Sequence, residues 1–482
     1  MSAELQESLK SKLLQLDCHF TWGLKNNFID IEDYEERMHN EIDFAEMKSV
    51  YHCYNRLAYA SYMKGNYEEA LAHLQKAEES IRKDHASDLD QHSVVTYGNF
   101  AWVYYYIDRT TESENYLQKV QNICRKLGSP SLYTVPLTEV YVEKGWTLLT
   151  FCRLYYAEAA ECFEKALKEN PSDPESNSGY AVALYRLEAP AYIKYIPEQS
   201  KSLCQLRQAL AINPNDTLCM VLLGLKLQDF GKQREGFEYI EQAIQKSPDV
   251  PHIIRYIAKF LRKYGYVDMS LELLKNALEK TPNSAFLHHQ VGICYKQKRV
   301  NLRVNNTDPK SHYILIDHLT RKSIYHFELA VELKPQFQYA LKDLATMYIE
   351  ARNYEKAEIC FKKLYDIPSN IPENLQEIHL AYGLFQLKNK KSESDAVLYF
   401  KEGCKIKNPS EPRYKCSSNL LKIAERKLYI NPKDSTAHGI LGFVHLQNEE
   451  RSRAIECYKK ALQYDPDNVE YLNALTELQL SL

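Results

Sequence analysis

Between His252 and Tyr266 the chain reads HIIRYIAKFLRKYGY. Ile254, Ile257, Ala258 and Leu261 recur at helical spacing, and Arg255, Lys259 and Arg262 recur one residue out of phase. This period predicts an amphipathic helix with an apolar stripe packed inward and cations gathered on one face. Similar patterns fill the chain. AAECFEKALKENPSDPES, LCQLRQALAINPNDT, LELLKNALEKTPNSAF and AIECYKKALQYDPDNVE each run as an amphipathic helix into a proline. Pro214, Pro248 and Pro282 follow one another at 34 residues, and Pro432 to Pro466 repeats the interval. Five residues before these prolines, Pro432 excepted, stands Ala209, Ala243, Ala277 or Ala461, joined by Ala166 before Pro171 and Ala330 before Pro335.

Proline stops a helix because it lacks a donor and clashes with the preceding turn. Small residues, Ala181, Gly224, Ala258, Gly292, Ala345 and Gly442, sit in the middle of the preceding helices, where they let two backbones approach closely. Period, small residues and terminal proline together identify the tetratricopeptide repeat. Single units cannot bury their apolar faces, so they are expected to stack. The predicted fold is an all-α tetratricopeptide-repeat superhelical solenoid with a basic central groove or tunnel. It forms one continuous right-handed superhelix with an N-terminal lobe over 1–250 and a C-terminal lobe over 251–482, rather than the separate domains that length alone would suggest. The wider proline intervals imply about nine extra residues near EAPAYIKYIPEQS and about nineteen near KRVNLRVNNTDPKSHYILI against the repeat period. The region from 410 to 430 reads as helix but fits the period badly.

Composition sharpens this. Only 15 glycines and 18 prolines punctuate 482 residues, which favours helices. The net charge is −3, so any affinity for a polyanion must come from locally concentrated charge. The 12 cysteines show no Cys-x-x-Cys pair or zinc spacing, which predicts reduced, mostly buried thiols and no metal. No signal peptide or membrane-length apolar run is present, so a cytoplasmic protein without a membrane partner is expected. There is no glycine-rich phosphate loop, nucleophile elbow or His-Glu-x-x-His motif, and neither an enzyme nor a cofactor is predicted.

In a tetratricopeptide array the fifth, ninth, twelfth and thirteenth positions of each first helix face the groove. For the unit starting at 251 these are Arg255, Lys259, Arg262 and Lys263, all cations. In the next unit they include His289 and Lys296, and in the unit starting at 174 they include Arg186. From 253 to 303 ten Lys/Arg stand against three Asp/Glu, a balance of +7. A groove with low-dielectric walls focuses such a field. Two ligand classes answer it: an acidic peptide clamped through its carboxylates, or a nucleic-acid end whose bases stack on aromatics. Trp146, Tyr155, Tyr156 and Tyr256 favour the second.

The segments CHFTW (18–22), GNFAWVYY (98–105), EKGWTLL (143–149), GYAVALYRL (179–187), RYIAKFLRK (255–263) and FLHHQVGICYK (286–296) carry a resemblance to the interferon-induced proteins with tetratricopeptide repeats. It runs essentially end to end and is nearest the first and fifth members. The resemblance implies cytosolic antiviral recognition of single-stranded RNA at a 5′-triphosphate, or at a cap lacking ribose methylation, without reading sequence. It also implies inhibited translation of foreign RNA. Carried over by position, Arg186 and Tyr156 would hold phosphate, and Arg255, Tyr256, Lys259, Arg262, His289 and Gln290 would line the strand. Arg37 stands where the cap-binding member has an arginine, Trp146 matches a cap-stacking tryptophan, and Glu175 an acid near that pocket. The expected partners are RNA 5′ ends, with related family members or signalling proteins beside them. The alternative is a protein-interaction scaffold in antiviral signalling.

Four positions depart from the resemblance. Thr150 stands in place of a phosphate-contacting lysine and Glu41 in place of a glutamine, which weakens triphosphate binding unless something compensates. Thr150→Lys is then expected to tighten it. Asp216 and Leu218 replace an asparagine and a tyrosine.

Overall fold

The computed structural model of the protein describes residues 3–25, 29, 31–44, 50–189, 196–304, 312–367 and 372–480. Among these residues there are 24 α-helices and no strand. The helices pair into antiparallel hairpins, as the tetratricopeptide pattern predicts. Their lengths follow from the prolines. Second helices end at Glu169, Ile212, Lys246, Lys280, Leu333, Ile430 and Tyr464, in each case two residues before Pro171, Pro214, Pro248, Pro282, Pro335, Pro432 or Pro466. The intervening residue closes the last turn on the repeat alanine: Asn170 donates its N–H to the Ala166 carbonyl at 2.9 Å, and Ser247 does the same to Ala243 at 2.9 Å. Ala166, Ala209, Ala243, Ala277, Ala330 and Ala461 are all buried.

The small mid-helix residues mark contacts where a side chain has no room. A Cβ at Gly292 would lie 2.5 Å from the Phe327 ring. Phe163 is wedged more tightly still, since a Cβ at Gly179 would stand 2.3 Å from its ring and one at Gly145 would stand 2.8 Å from it.

Two compact units divide the chain, Met1–Gly265 and Tyr266–Leu482. The first holds the hairpins Tyr51–Met63 with Tyr67–Asp84, Leu89–Tyr106 with Thr110–Lys126, Thr138–Phe151 with Tyr156–Glu169, Pro174–Leu187 with Lys201–Ile212, and Thr217–Asp229 with Gln233–Lys246, and then the Pro251–Tyr264 helix. The second runs from Val267–Lys280 through further hairpins to Val469–Leu480.

Both irregular intervals have physical readings. The Ala285–Val304 and Tyr313–Leu333 helices span 20 and 21 residues, against 14 each for Pro251–Tyr264 and Val267–Lys280. Much of the expected nineteen-residue insertion is therefore extra helical turns, and its middle, 305–311, lies outside the described residues. In the other interval, 190–195 lie outside the described residues, and a 3₁₀ turn, Pro197–Gln199, precedes the next helix. Glu411–Ile430 is one helix of 20 residues, too long for the 34-residue frame.

All 12 cysteines are free thiols, most of them buried. No helix among the described residues is long and apolar enough to cross a membrane.

Candidate nucleic-acid interface

Pro251–Tyr264 has the two faces its sequence predicts. Ile254, Ile257, Ala258 and Leu261 are fully buried, whereas Arg255, Tyr256, Lys259 and Arg262 keep contact with solvent. Pro251 opens the helix, and Gly265 at φ 103° closes it in a left-handed conformation that suits glycine. The Arg255 guanidinium lies 5.2 Å from the centre of the Tyr256 ring.

Arg186 reaches the same tyrosine from the last turn of Pro174–Leu187. Its Nη1 donates to the Leu149 carbonyl at 2.6 Å, and its guanidinium sits 5.4 Å from the centre of the Tyr156 ring. The two phenols, Tyr156 and Tyr256, favour its charge. Burial would push the Tyr256 phenol up, but Arg255, Arg186 and Lys259 outweigh it and draw the phenol down to about 8. Burial and neighbouring Lys263 hold the Lys259 ammonium below the ordinary lysine value, although Tyr256 and Asp229 oppose them. A depressed ammonium beside a depressed phenol marks a surplus of positive charge.

A second cation group lies at the end of the Thr138–Phe151 helix. The last carbonyls of a helix have no partner within it and attract cations. Here Arg186 takes Leu149, and Arg37 takes Thr150, Nη1 to carbonyl oxygen at 3.2 Å. The Thr150 hydroxyl faces Arg56, which sequence reasoning missed. Arg56 is itself buried in Tyr51–Met63, a lone cation among apolar and aromatic neighbours. A charge amid YNRLAYA was its only signal. Nearby, the Asn55 amide donates to Glu143 at 2.7 Å and to Thr96 at 2.9 Å, and His19 is held by Asn99 and Thr147. This buried network fastens CHFTW onto two helices.

Glu175 lies close to this group. Burial raises its carboxyl, His52 and Arg56 lower it, and Asp173 and Glu143 raise it. Trp146 packs edge-on against Phe163 at 5.4 Å, and its indole N–H is buried with no acceptor in the protein. Such a donor gains from any ligand that accepts from it. Tyr155 is a correction to the aromatic set: it is buried, and its hydroxyl donates to the Gly23 carbonyl and accepts from the Lys25 amide, both at 3.1 Å. Asp216 caps its helix, accepting from the Cys219 N–H at 2.9 Å.

In the second unit His289 is buried, with Nε2 2.9 Å from Asp343, and Lys296 meets the same carboxylate at 2.8 Å. Burial would raise the Asp343 carboxyl, but these two partners hold it well below the usual range. Gln290, next along the helix, is partly exposed. His288 diverges from His289, towards His326 and the Pro282 carbonyl.

The balance of +7 over 253–303 overstates the field. Lys263 pairs with Asp229 at 3.0 Å, Lys296 with Asp343, Lys298 with Asp268, and both Arg299 and Arg303 with Glu350. Most of these acids lie outside the counted window. Around Tyr256 the phenol and the Lys259 ammonium are both drawn down, the sign of net positive charge there.

One group among the described residues gathers metal-type donors, His85, Asp88 and His92, with ligand atoms within 4.8 Å of one another. Its two imidazoles stack at 3.7 Å between ring centres, so a single ion could not lie in both ring planes. As placed, it is a polar joint at a helix start.

Tetratricopeptide-repeat profiles match residues 50–126, 156–191 and 435–468. The chain is 41% identical over 463 residues to the human antiviral innate immune response effector IFIT1, covering 95% of this chain and 96% of that one. It is 37% identical over 471 residues to human interferon-induced protein with tetratricopeptide repeats 2, covering 96% and 97%. The chain belongs to the interferon-induced proteins with tetratricopeptide repeats. Among solved structures of that family, the human IFIT1 dimer with m7Gppp-AAAA superposes with a TM-score of 0.83 and the dimer with PPP-AAAA with 0.80, each covering 95% of this chain and 100% of that one at 41% identity. Thr150 and Glu41, two positions read in the sequence as departing from the resemblance, both lie beside Arg56.

Proposed function

We propose that this chain binds the 5′ end of foreign single-stranded RNA, a triphosphate or a cap lacking ribose methylation, without reading sequence, and that it does so in the cytosol and inhibits translation of that RNA. It acts by binding rather than turnover. The observation that carries this is the cluster of Arg186, Arg255 and Lys259 around Tyr256, whose phenol they draw down to about 8. Guanidinium forks match phosphate oxygens, and the adjoining Tyr156 and Tyr256 rings offer stacking surfaces to the first bases. The human IFIT1 structures named above hold a capped and a triphosphate oligoadenylate. Arg37, Trp146 and Glu175 are assigned to the end-binding part, and Arg262, His289 and Gln290 to the strand.

Filter binding with one RNA carrying a triphosphate, monophosphate, hydroxyl or unmethylated cap tests the proposal. The triphosphate or the cap is expected to bind at least about tenfold tighter than the hydroxyl, and affinity is expected to fall steeply with salt as counterions are released. Equal, weak binding of all four at physiological salt would instead favour the protein-scaffold function.

A pH profile adds a second check. Below about pH 8 the Tyr256 phenol is neutral, and above it the phenolate places a negative charge where phosphate should lie. RNA affinity is therefore expected to fall as pH rises through 8, and Tyr256→Phe to flatten that fall. An unchanged profile in Tyr256→Phe would assign the titration elsewhere.

A further inference from the structure

Arg56 is only 5% exposed. Its Nε donates to the His52 carbonyl at 3.1 Å, one Nη lies 3.4 Å from the Thr150 hydroxyl, and the other lies 3.3 Å from Glu41 and 3.4 Å from the Cys53 sulfur. A buried guanidinium is costly unless well paired, and this pairing is uneven. Among the described residues Glu41 is the one carboxylate within ion-pair distance, through a single contact rather than a fork. The Glu41 side chain is itself 38% exposed, so it can turn out to water. Arg56 cannot leave.

Arg37, Arg56 and Arg186 therefore converge on two successive residues, Thr150 and Leu149, with Glu41 against the most buried of the three. Resting on the RNA-end function above, we propose that Arg56 is a phosphate-binding residue of this site and that Glu41 is an internal anion occupying it until the 5′-terminal phosphates take its place. The exchange is anion for anion. Arg56 keeps a partner in both states, and Glu41 recovers hydration when it is displaced. An RNA ending in a hydroxyl has nothing to exchange for Glu41, so the pair adds selectivity for charged ends. Arg56, whose Nη lies 3.4 Å from the Thr150 hydroxyl, then supplies the cation that the resemblance leads one to expect at 150.

Binding of one short unstructured RNA, with a 5′-triphosphate or a 5′-hydroxyl, is measured for the full chain and for E41Q, R56L and R56L/T150K, with thermal melting as the check on folding. E41Q is expected to tighten the triphosphate RNA about tenfold, the scale of one charge-assisted contact no longer competed for, and to leave the hydroxyl RNA unchanged. R56L is expected to weaken the triphosphate RNA at least about tenfold. R56L/T150K should recover most of that loss, which a mere packing role for Arg56 would not produce. An E41Q affinity equal to that of the unmodified protein, an R56L variant with undiminished triphosphate preference, or a folded R56L/T150K without recovery would each overturn the assignment. If Arg186→Glu removes the preference while E41Q and R56L leave it intact, the Arg56 assignment alone fails. If the unmodified protein does not distinguish the two ends, the RNA-end function fails with it.

Discussion

Arg186→Glu is expected to weaken triphosphate RNA binding by about 100-fold or more, at least the scale of losing one partner of a buried charge contact. It is also expected to erase the difference between charged and uncharged ends. Three effects add up in this substitution. The guanidinium that donates to Leu149 is lost. A carboxylate replaces it between Tyr156 and Tyr256. The Tyr256 phenol also loses one of the cations that draw it down, so the affinity change near pH 8 shrinks as well. The helix itself is held by other contacts, and circular dichroism should be unchanged. Arg186→Lys is expected to fall between the two, because an ammonium lacks the fork. Full affinity in Arg186→Glu would remove this residue from the site.

The second large effect falls on stability. Lys226 and Glu188 form a pair 2.6 Å apart whose side chains are 7% and 8% exposed. Glu188 also accepts from the Ser200 hydroxyl, the Ser202 N–H and the Ser202 hydroxyl. Lys226→Met leaves a buried carboxylate without its cation and is expected to cost about 3–5 kcal/mol, read in urea unfolding. Glu188 caps the Pro174–Leu187 helix two residues beyond Arg186, so the same variant should loosen RNA-end binding. Burial would raise the Glu188 carboxyl, but Lys226 and the serines prevail and lower it. Its contribution is therefore present above the unfolded carboxylate value of about 4.3 and is lost as pH falls through the depressed folded value. Lys226→Met combined with Glu188→Leu should recover much of the loss, since no charge then remains buried. Undiminished stability in Lys226→Met would show that water reaches the pair.

The repeat was legible because each of its marks acts locally. A proline ends the helix it follows and an alanine packs five residues earlier, and the helices stop two residues short of Pro214, Pro248 and Pro282. The two faces of Pro251–Tyr264 were legible for the same reason. Charge was not, because its partners come from other helices: Asp229 reaches Lys263 from 34 residues away, and Glu350 reaches Arg299 and Arg303 from outside the window in which cations were counted. Arg56 was hidden differently. Inside YNRLAYA it breaks an apolar pattern while staying buried, and only the fold brings Glu41 and Thr150 to it. The interval before Pro335 showed extra residues but not their form, because a lengthened helix pair shifts a proline as far as a loop would.

Phe163 fills the space above Gly145 and Gly179. Gly145 belongs to the helix that presents the Leu149 and Thr150 carbonyls, and Gly179 to the helix that carries Arg186. The thickness of one aromatic ring is thus the gauge block between carbonyls and guanidinium. With no side chain on either glycine to give way, the calibration of a charged site is entrusted to a hydrocarbon that need never touch what the site binds.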